Sequence, residues 1–138
     1  ERGDDLMQLF KENRFWILTS LETIFLGLTF SNPKPYLKPI VGDPSWIGLV
    51  DIPPFSLALV LVGVVCLTMC LMPLSKIGLS IVTFLLSLVW IFSSIVFIVH
   101  DINMPDFFIA YPHIDATLST FVAVRITIEA IFGTKHYE

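Results

Sequence analysis

Charge is what this chain has least of. Only 14% of its 138 residues are Asp, Glu, Lys or Arg, where a soluble domain carries about 25%. No cluster of four or more Lys or Arg occurs, so the basic signature of an anionic-lipid-binding segment is missing. A net charge of −4 likewise excludes the electrostatic footprint of a nucleic-acid-binding domain. Cysteine is scarce. Cys66 and Cys70 lie four apart inside an apolar run, not in the C-x-x-C spacing of a redox or zinc pair, and are read as small hydrophobes. There is no Gly-rich phosphate loop, no G-x-S-x-G elbow and no H-E-x-x-H helix, so no catalytic motif directs the reading toward an enzyme. Internal repeats and heptads are absent as well.

What is abundant is apolar sequence. Hydrophobic residues make up 55% of the chain and the mean hydropathy is +0.82. Four apolar stretches dominate, at 15–30, 55–74, 77–99 and 114–132. Crossing a hydrocarbon core takes about 20 apolar residues in a helix. The pattern predicts an all-α integral membrane protein of four transmembrane helices, an antiparallel bundle within a single membrane domain over 1–138. The chain begins with Glu1 rather than Met, consistent with trimming or processing of a longer sequence.

The segments between the stretches refine this expectation. Residues 1–14 have the spacing of a short amphipathic helix lying on the membrane surface before the chain turns inward. The connection at 31–54 holds six of the nine prolines together with Tyr36 and Trp46, which predicts a structured loop at headgroup level rather than a helix. Pro73-Leu74-Ser75-Lys76 is short enough to force the second and third helices into an antiparallel hairpin. Five basic residues (Arg2, Lys11, Arg14, Lys76 and Lys135) flank one side, against Lys34 and Lys38 on the other. The positive-inside rule therefore predicts both termini inside.

Ionisable residues within membrane segments are expensive and usually paired, so each is a candidate site. Glu22 in the first stretch and Arg125 in the fourth both fall about 10 Å from the inner ends of their helices at 1.5 Å per residue. Glu129 follows Arg125 by four residues, on a neighbouring part of the helix surface. An intramembrane charge cluster of Glu22, Arg125 and Glu129 is expected to join the first and last helices. A polar face for packing or passage is expected from Ser80, Thr83, Ser87 and Ser94 on the third helix, with Asp115 and Ser119 on the fourth. At the outer side His100, Asp101, His113 and Asp115 have the chemistry of a transition-metal ligand set, without a tight ligand motif.

These features favour a non-catalytic assembly or accessory subunit, a homo-oligomer or part of a larger membrane complex, whose partners are the lipid bilayer and other membrane helices. An oligomeric ion channel or transporter using Glu22, Arg125 and Glu129 is the alternative. A metal-binding membrane enzyme or redox component built on the outer His and Asp residues is the third reading.

Overall fold

The computed structural model describes residues 2–31, 53–103 and 114–133, which form four helices and no strand. They are α1 (Arg2–Phe30), α2 (Pro53–Cys70), α3 (Lys76–Ile102) and α4 (Ile114–Phe132). Residues 32–52 of the Pro-rich connection and the whole of 104–113, with His113, lie outside the described residues.

α1 departs from expectation by being one continuous helix of 29 residues. The amphipathic segment does not turn before the apolar one. No proline or glycine lies between Gln8 and Trp16, and the side chain of Gln8 donates to Glu12 one turn on, at 2.9 Å, so nothing interrupts propagation. Past Phe30, the Ser31 amide closes a last turn on the Gly27 carbonyl at 3.1 Å.

α2 opens on Pro53 and Pro54, in the first turn, where a missing N–H costs nothing. It ends at Cys70 rather than at 74, because Pro73 disfavours helical backbone in the residue before it. Ser75 then caps α3, its Oγ accepting from the Gly78 amide at 3.1 Å. α3 continues past 99 through His100 and Asp101. α4 coincides with the expected stretch.

The contacts define an up-down-up-down order. Asn13 meets Cys70, and Gly27 lies against Ser56 and Val60, so α1 and α2 are antiparallel. Trp90 reaches Thr23 and Phe97 stacks on Phe30 at 6.0 Å, so α1 and α3 run parallel across the short diagonal. The sequence favours α2 with α3 as the self-sufficient hairpin, but the more extensive packing joins α1 to α2 and α3 to α4.

Two glycines explain the first of these pairs. A methyl group at Gly27 would sit 2.9 Å from the Ser56 carbonyl oxygen, and one at Gly63 would sit 2.9 Å from the Ile24 nitrogen. Each glycine admits the backbone of the other helix, which is how helices approach most closely. Ser56, Leu59, Gly63, Cys66 and Cys70 form the buried face of α2.

Only α2 and α3, among the described residues, are long and apolar enough to cross a membrane by length and composition, and less than half of each is buried within the bundle. α1 falls short of that standard because its apolar run, 15–30, is preceded by Asn13 and Arg14 and interrupted by Glu22, and α4 because it carries Asp115, Arg125 and Glu129.

Candidate functional site

The side chains of greatest interest lie where α1 faces α4, the least intimate pairing of adjacent helices in the bundle. Along α1, Thr19 and Thr23 are fully buried. Each hydroxyl donates back to its own helix, Thr19 to the Phe15 carbonyl at 2.9 Å and Thr23 to the Thr19 carbonyl at 2.8 Å. Back-bonding occupies the only donor and leaves the oxygen's lone pairs for a neighbour. Both are used. Arg125 Nη2 donates to Thr19 Oγ1 at 3.2 Å, and the Trp90 indole N–H donates to Thr23 Oγ1 at 3.0 Å.

Arg125 also donates through Nη2 to Glu22 Oε2 at 2.5 Å, and its guanidinium carbon lies 5.2 Å from the centroid of the Phe15 ring. A carboxylate, a hydroxyl and an aromatic face, all from α1, therefore hold one cation from α4. Nε of Arg125 is buried and has no acceptor among the described residues. The two side chains of the pair remain about a third exposed, Arg125 33% and Glu22 38%, because the seam on either side of them is open.

Two cavities border this region among the described residues. One, of about 710 Å³, lies toward the Asp115 end and is lined by Glu22, Leu26, Thr29, Trp90, Asp115 and Val122 among others. The second, of about 540 Å³, lies toward the Lys76 end between α1, α3 and α4. Its wall includes Trp16, Lys76, Ser80, Thr83, Ser87 and Glu129.

The structure thus brings together Glu22 and Arg125 and sets Glu129 apart, in the cavity at the Lys76 end. Of the α3 stripe, Ser80, Thr83 and Ser87 line that same cavity, whereas Ser94 is buried elsewhere with its hydroxyl donated to the Trp90 carbonyl at 2.7 Å. Ser119 is buried and donates to the Ala116 carbonyl at 3.1 Å. Asp115 is exposed at the mouth of the larger cavity.

Of the metal-ligand candidates, His100 and Asp101 are both buried on the last turn of α3, and His113 lies outside the described residues. Among the described residues no three His, Cys, Asp or Glu side chains are grouped to hold a metal ion.

Four participants carry no charge and are not singled out by sequence: Phe15, Thr19, Thr23 and Trp90. A fifth is Asn13, 2% exposed, whose amide donates to the Cys70 carbonyl at 2.9 Å and so satisfies the end of α2 from the side of α1. The available signal was periodicity. Thr19 lies four residues and Glu22 seven residues after Phe15, so the three form one helical ridge.

Comparison with protein-family models, with curated proteins and with solved structures finds no match.

Proposed function

We propose that this chain is a four-span integral membrane protein that serves as a membrane-embedded assembly subunit, working beside other helices rather than as a catalyst. The observation that carries the reading is the distribution of large apolar side chains left exposed. They occur on every helix, for example Phe25 on α1, Leu61 on α2, Phe84 and Leu88 on α3, and Phe121 and Ile131 on α4. A water-soluble bundle of this size would expose no continuous apolar surface of that extent. A bilayer, or the helices of a partner, accommodates it.

The charges that keep α1 and α4 below the usual composition of a span support the same reading. Glu22 and Arg125 neutralise each other across the seam, which is the arrangement that makes ionisable groups tolerable at membrane depth. α4, at 19 residues, has the length to cross, and α1 exceeds it.

The test is direct. Full-length protein expressed in cells should stay with the membrane through alkaline carbonate washing, and release into the wash would refute the reading. The mass of the particle in native nanodiscs then separates a homo-oligomer from a complex with a foreign subunit. A discrete multiple of the chain mass, or the mass of a stoichiometric complex, is expected. A lone chain would contradict an assembly role.

One observation favours a second reading, an ion or proton path. Glu22, paired with Arg125, lines one cavity together with Asp115, and Glu129 lines another toward the opposite end of the bundle. Under this reading, protein in liposomes conducts, and Glu22→Gln abolishes flux while the oligomer stays intact. Absence of flux from the unaltered protein would dispose of it.

A further inference from the structure

The cavity at the Lys76 end combines features that neither packing nor the ion pair uses. Lys76 is the first residue of α3 and Glu129 lies one turn before the end of α4. They carry opposite charges on adjacent helices and line the same cavity, yet they form no ion pair with each other. Below them, Ser80, Thr83 and Ser87 line the wall, and none of the three hydroxyls makes a hydrogen bond among the described residues. Ser93 on the same helix is likewise without a partner among the described residues, whereas other hydroxyls are satisfied locally. Thr19, Ser20, Thr23, Thr29, Ser94 and Thr127 all donate to their own helix backbone four residues back.

We propose that this cavity binds the headgroup and ester region of a zwitterionic phospholipid carrying a primary ammonium. The proposal rests on the membrane reading above. Polarity is graded along the cavity as it is along such a lipid. Lys76 stands at the helix end, at the level of a phosphate, and Glu129 stands beside it for the ammonium. At 1.5 Å per residue Ser80 lies about 6 Å below Lys76 along the helix axis, the depth of ester carbonyls, which accept hydrogen bonds and donate none. Thr83 and Ser87, about 10 and 16 Å below Lys76, line the start of the acyl chains.

Trp16 backs the cavity, and the exposed ring of Phe84 borders it where an acyl chain would leave toward the bilayer. The volume of about 540 Å³ is that of a small-ligand site. A primary ammonium, with three N–H donors, hydrogen-bonds a carboxylate, whereas a quaternary ammonium is held by several aromatic faces. With only Trp16 and Phe84 among the ring side chains on this wall, the carboxylate decides for the primary amine.

The experiment uses protein already established as membrane-inserted, so its failure is distinct from failure of the membrane reading. The chain is reconstituted in nanodiscs with equal phosphatidylethanolamine, phosphatidylcholine and phosphatidylglycerol, and lipid retained on release is identified by native mass spectrometry. One phosphatidylethanolamine per chain is expected, preferred about tenfold over the other two, the discrimination of one charge-assisted hydrogen bond.

Glu129→Gln is expected to remove the preference for phosphatidylethanolamine over phosphatidylcholine. Lys76→Met, at an exposed first helical position and therefore harmless to folding, is expected to lower retention of all three. Equal retention of all three by the unaltered protein, a preference for phosphatidylglycerol, or an unchanged pattern in both variants would overturn the proposal. Displacement of the retained lipid by soluble glycerophosphoethanolamine at millimolar concentration would assign the site to a free solute and overturn it too.

Discussion

Replacing Gly63 by alanine tests the packing of α1 on α2 with an unusual sign. In an unconstrained helix interior the change stabilises by about 1 kcal/mol, because glycine loses more backbone freedom on folding. Here the added methyl would lie 2.6 Å from Ile24 Cγ1, 2.9 Å from Ile24 N and 3.0 Å from Ser20 O. Ordinary carbon contacts sit at about 3.5 Å or more. Ile24 can rotate its side chain away. Its backbone nitrogen and the Ser20 carbonyl cannot move without displacing α1. Overpacking of this kind costs about 1–3 kcal/mol, so after the propensity gain of about 1 kcal/mol Gly63→Ala should give no stabilisation and should destabilise by up to about 2 kcal/mol.

Gly27→Ala meets the Ser56 carbonyl and the Val60 nitrogen, both at 2.9 Å, and should cost about as much. Once one methyl has separated the helices the second finds room, so the double variant should cost less than the sum. Gly78→Ala provides the control. Its nearest neighbours are side-chain atoms, Ser75 Oγ at 3.3 Å and Leu74 Cδ2 at 3.4 Å, and the change should be neutral or stabilising. Unfolding in mixed micelles, followed by far-ultraviolet circular dichroism against added SDS, measures all four. Stabilisation by Gly63→Ala comparable to that of Gly78→Ala would show that α1 and α2 do not approach as described.

Other expectations concern the polar contacts. Asn13→Ala leaves the Cys70 carbonyl without its side-chain donor and should destabilise by about 1–3 kcal/mol in the same assay; a change within error would make that contact incidental. Thr23→Val keeps shape but removes the acceptor for the buried Trp90 indole, and should cost about 1–3 kcal/mol, while Trp90→Phe made on top of Thr23→Val should cost less than it does alone. Ser75→Ala removes the cap of α3 and should cost about 1 kcal/mol, with Ser75→Asp restoring it. Thr19→Val should weaken the hold on Arg125 and lower stability, but only when Arg125 is present, so the two changes together should fall short of additive.

Much of this architecture was legible in the order of residues. The long apolar runs of α2 and α3 declare themselves by composition, and the limits of α4 follow from where its apolar run begins and Gly133 follows it. Matching depths nominated Glu22 and Arg125 by counting along two helices.

Other features depend on information that one-dimensional spacing does not hold. Glu129 follows Arg125 by one turn, which suggests a shared cluster. In three dimensions the extra rise and rotation carry it past α1 and into the cavity beside α3. Gly63 stands out in sequence as part of a stripe of small residues with Ser56, Cys66 and Cys70, whereas Gly27 looks ordinary; what spacing does not hold is the register that sets each against the other helix's backbone. The continuity of α1 was hidden because its amphipathic and apolar halves have different periodicities, although no residue between them breaks a helix. Thr19 and Thr23 read as small members of an apolar run until back-bonding turns them into fixed acceptors. The α2–α3 link is short, but linker length governs proximity rather than packing area, and the larger interfaces formed elsewhere.

α1 and α4, the two helices with charge in their apolar runs, are held together by Glu22 and Arg125 across an otherwise open seam. A double-mutant cycle on Glu22→Gln and Arg125→Leu, measured as unfolding free energy in lipid bicelles, tests this hold most directly. Either single change leaves an unmatched partner at depth and should cost about 2–3 kcal/mol. The double variant should recover at least half of the summed loss, a coupling of about 2 kcal/mol or more. Strictly additive losses, or single variants as stable as the unaltered chain, would show that Glu22 and Arg125 do not hold α1 to α4.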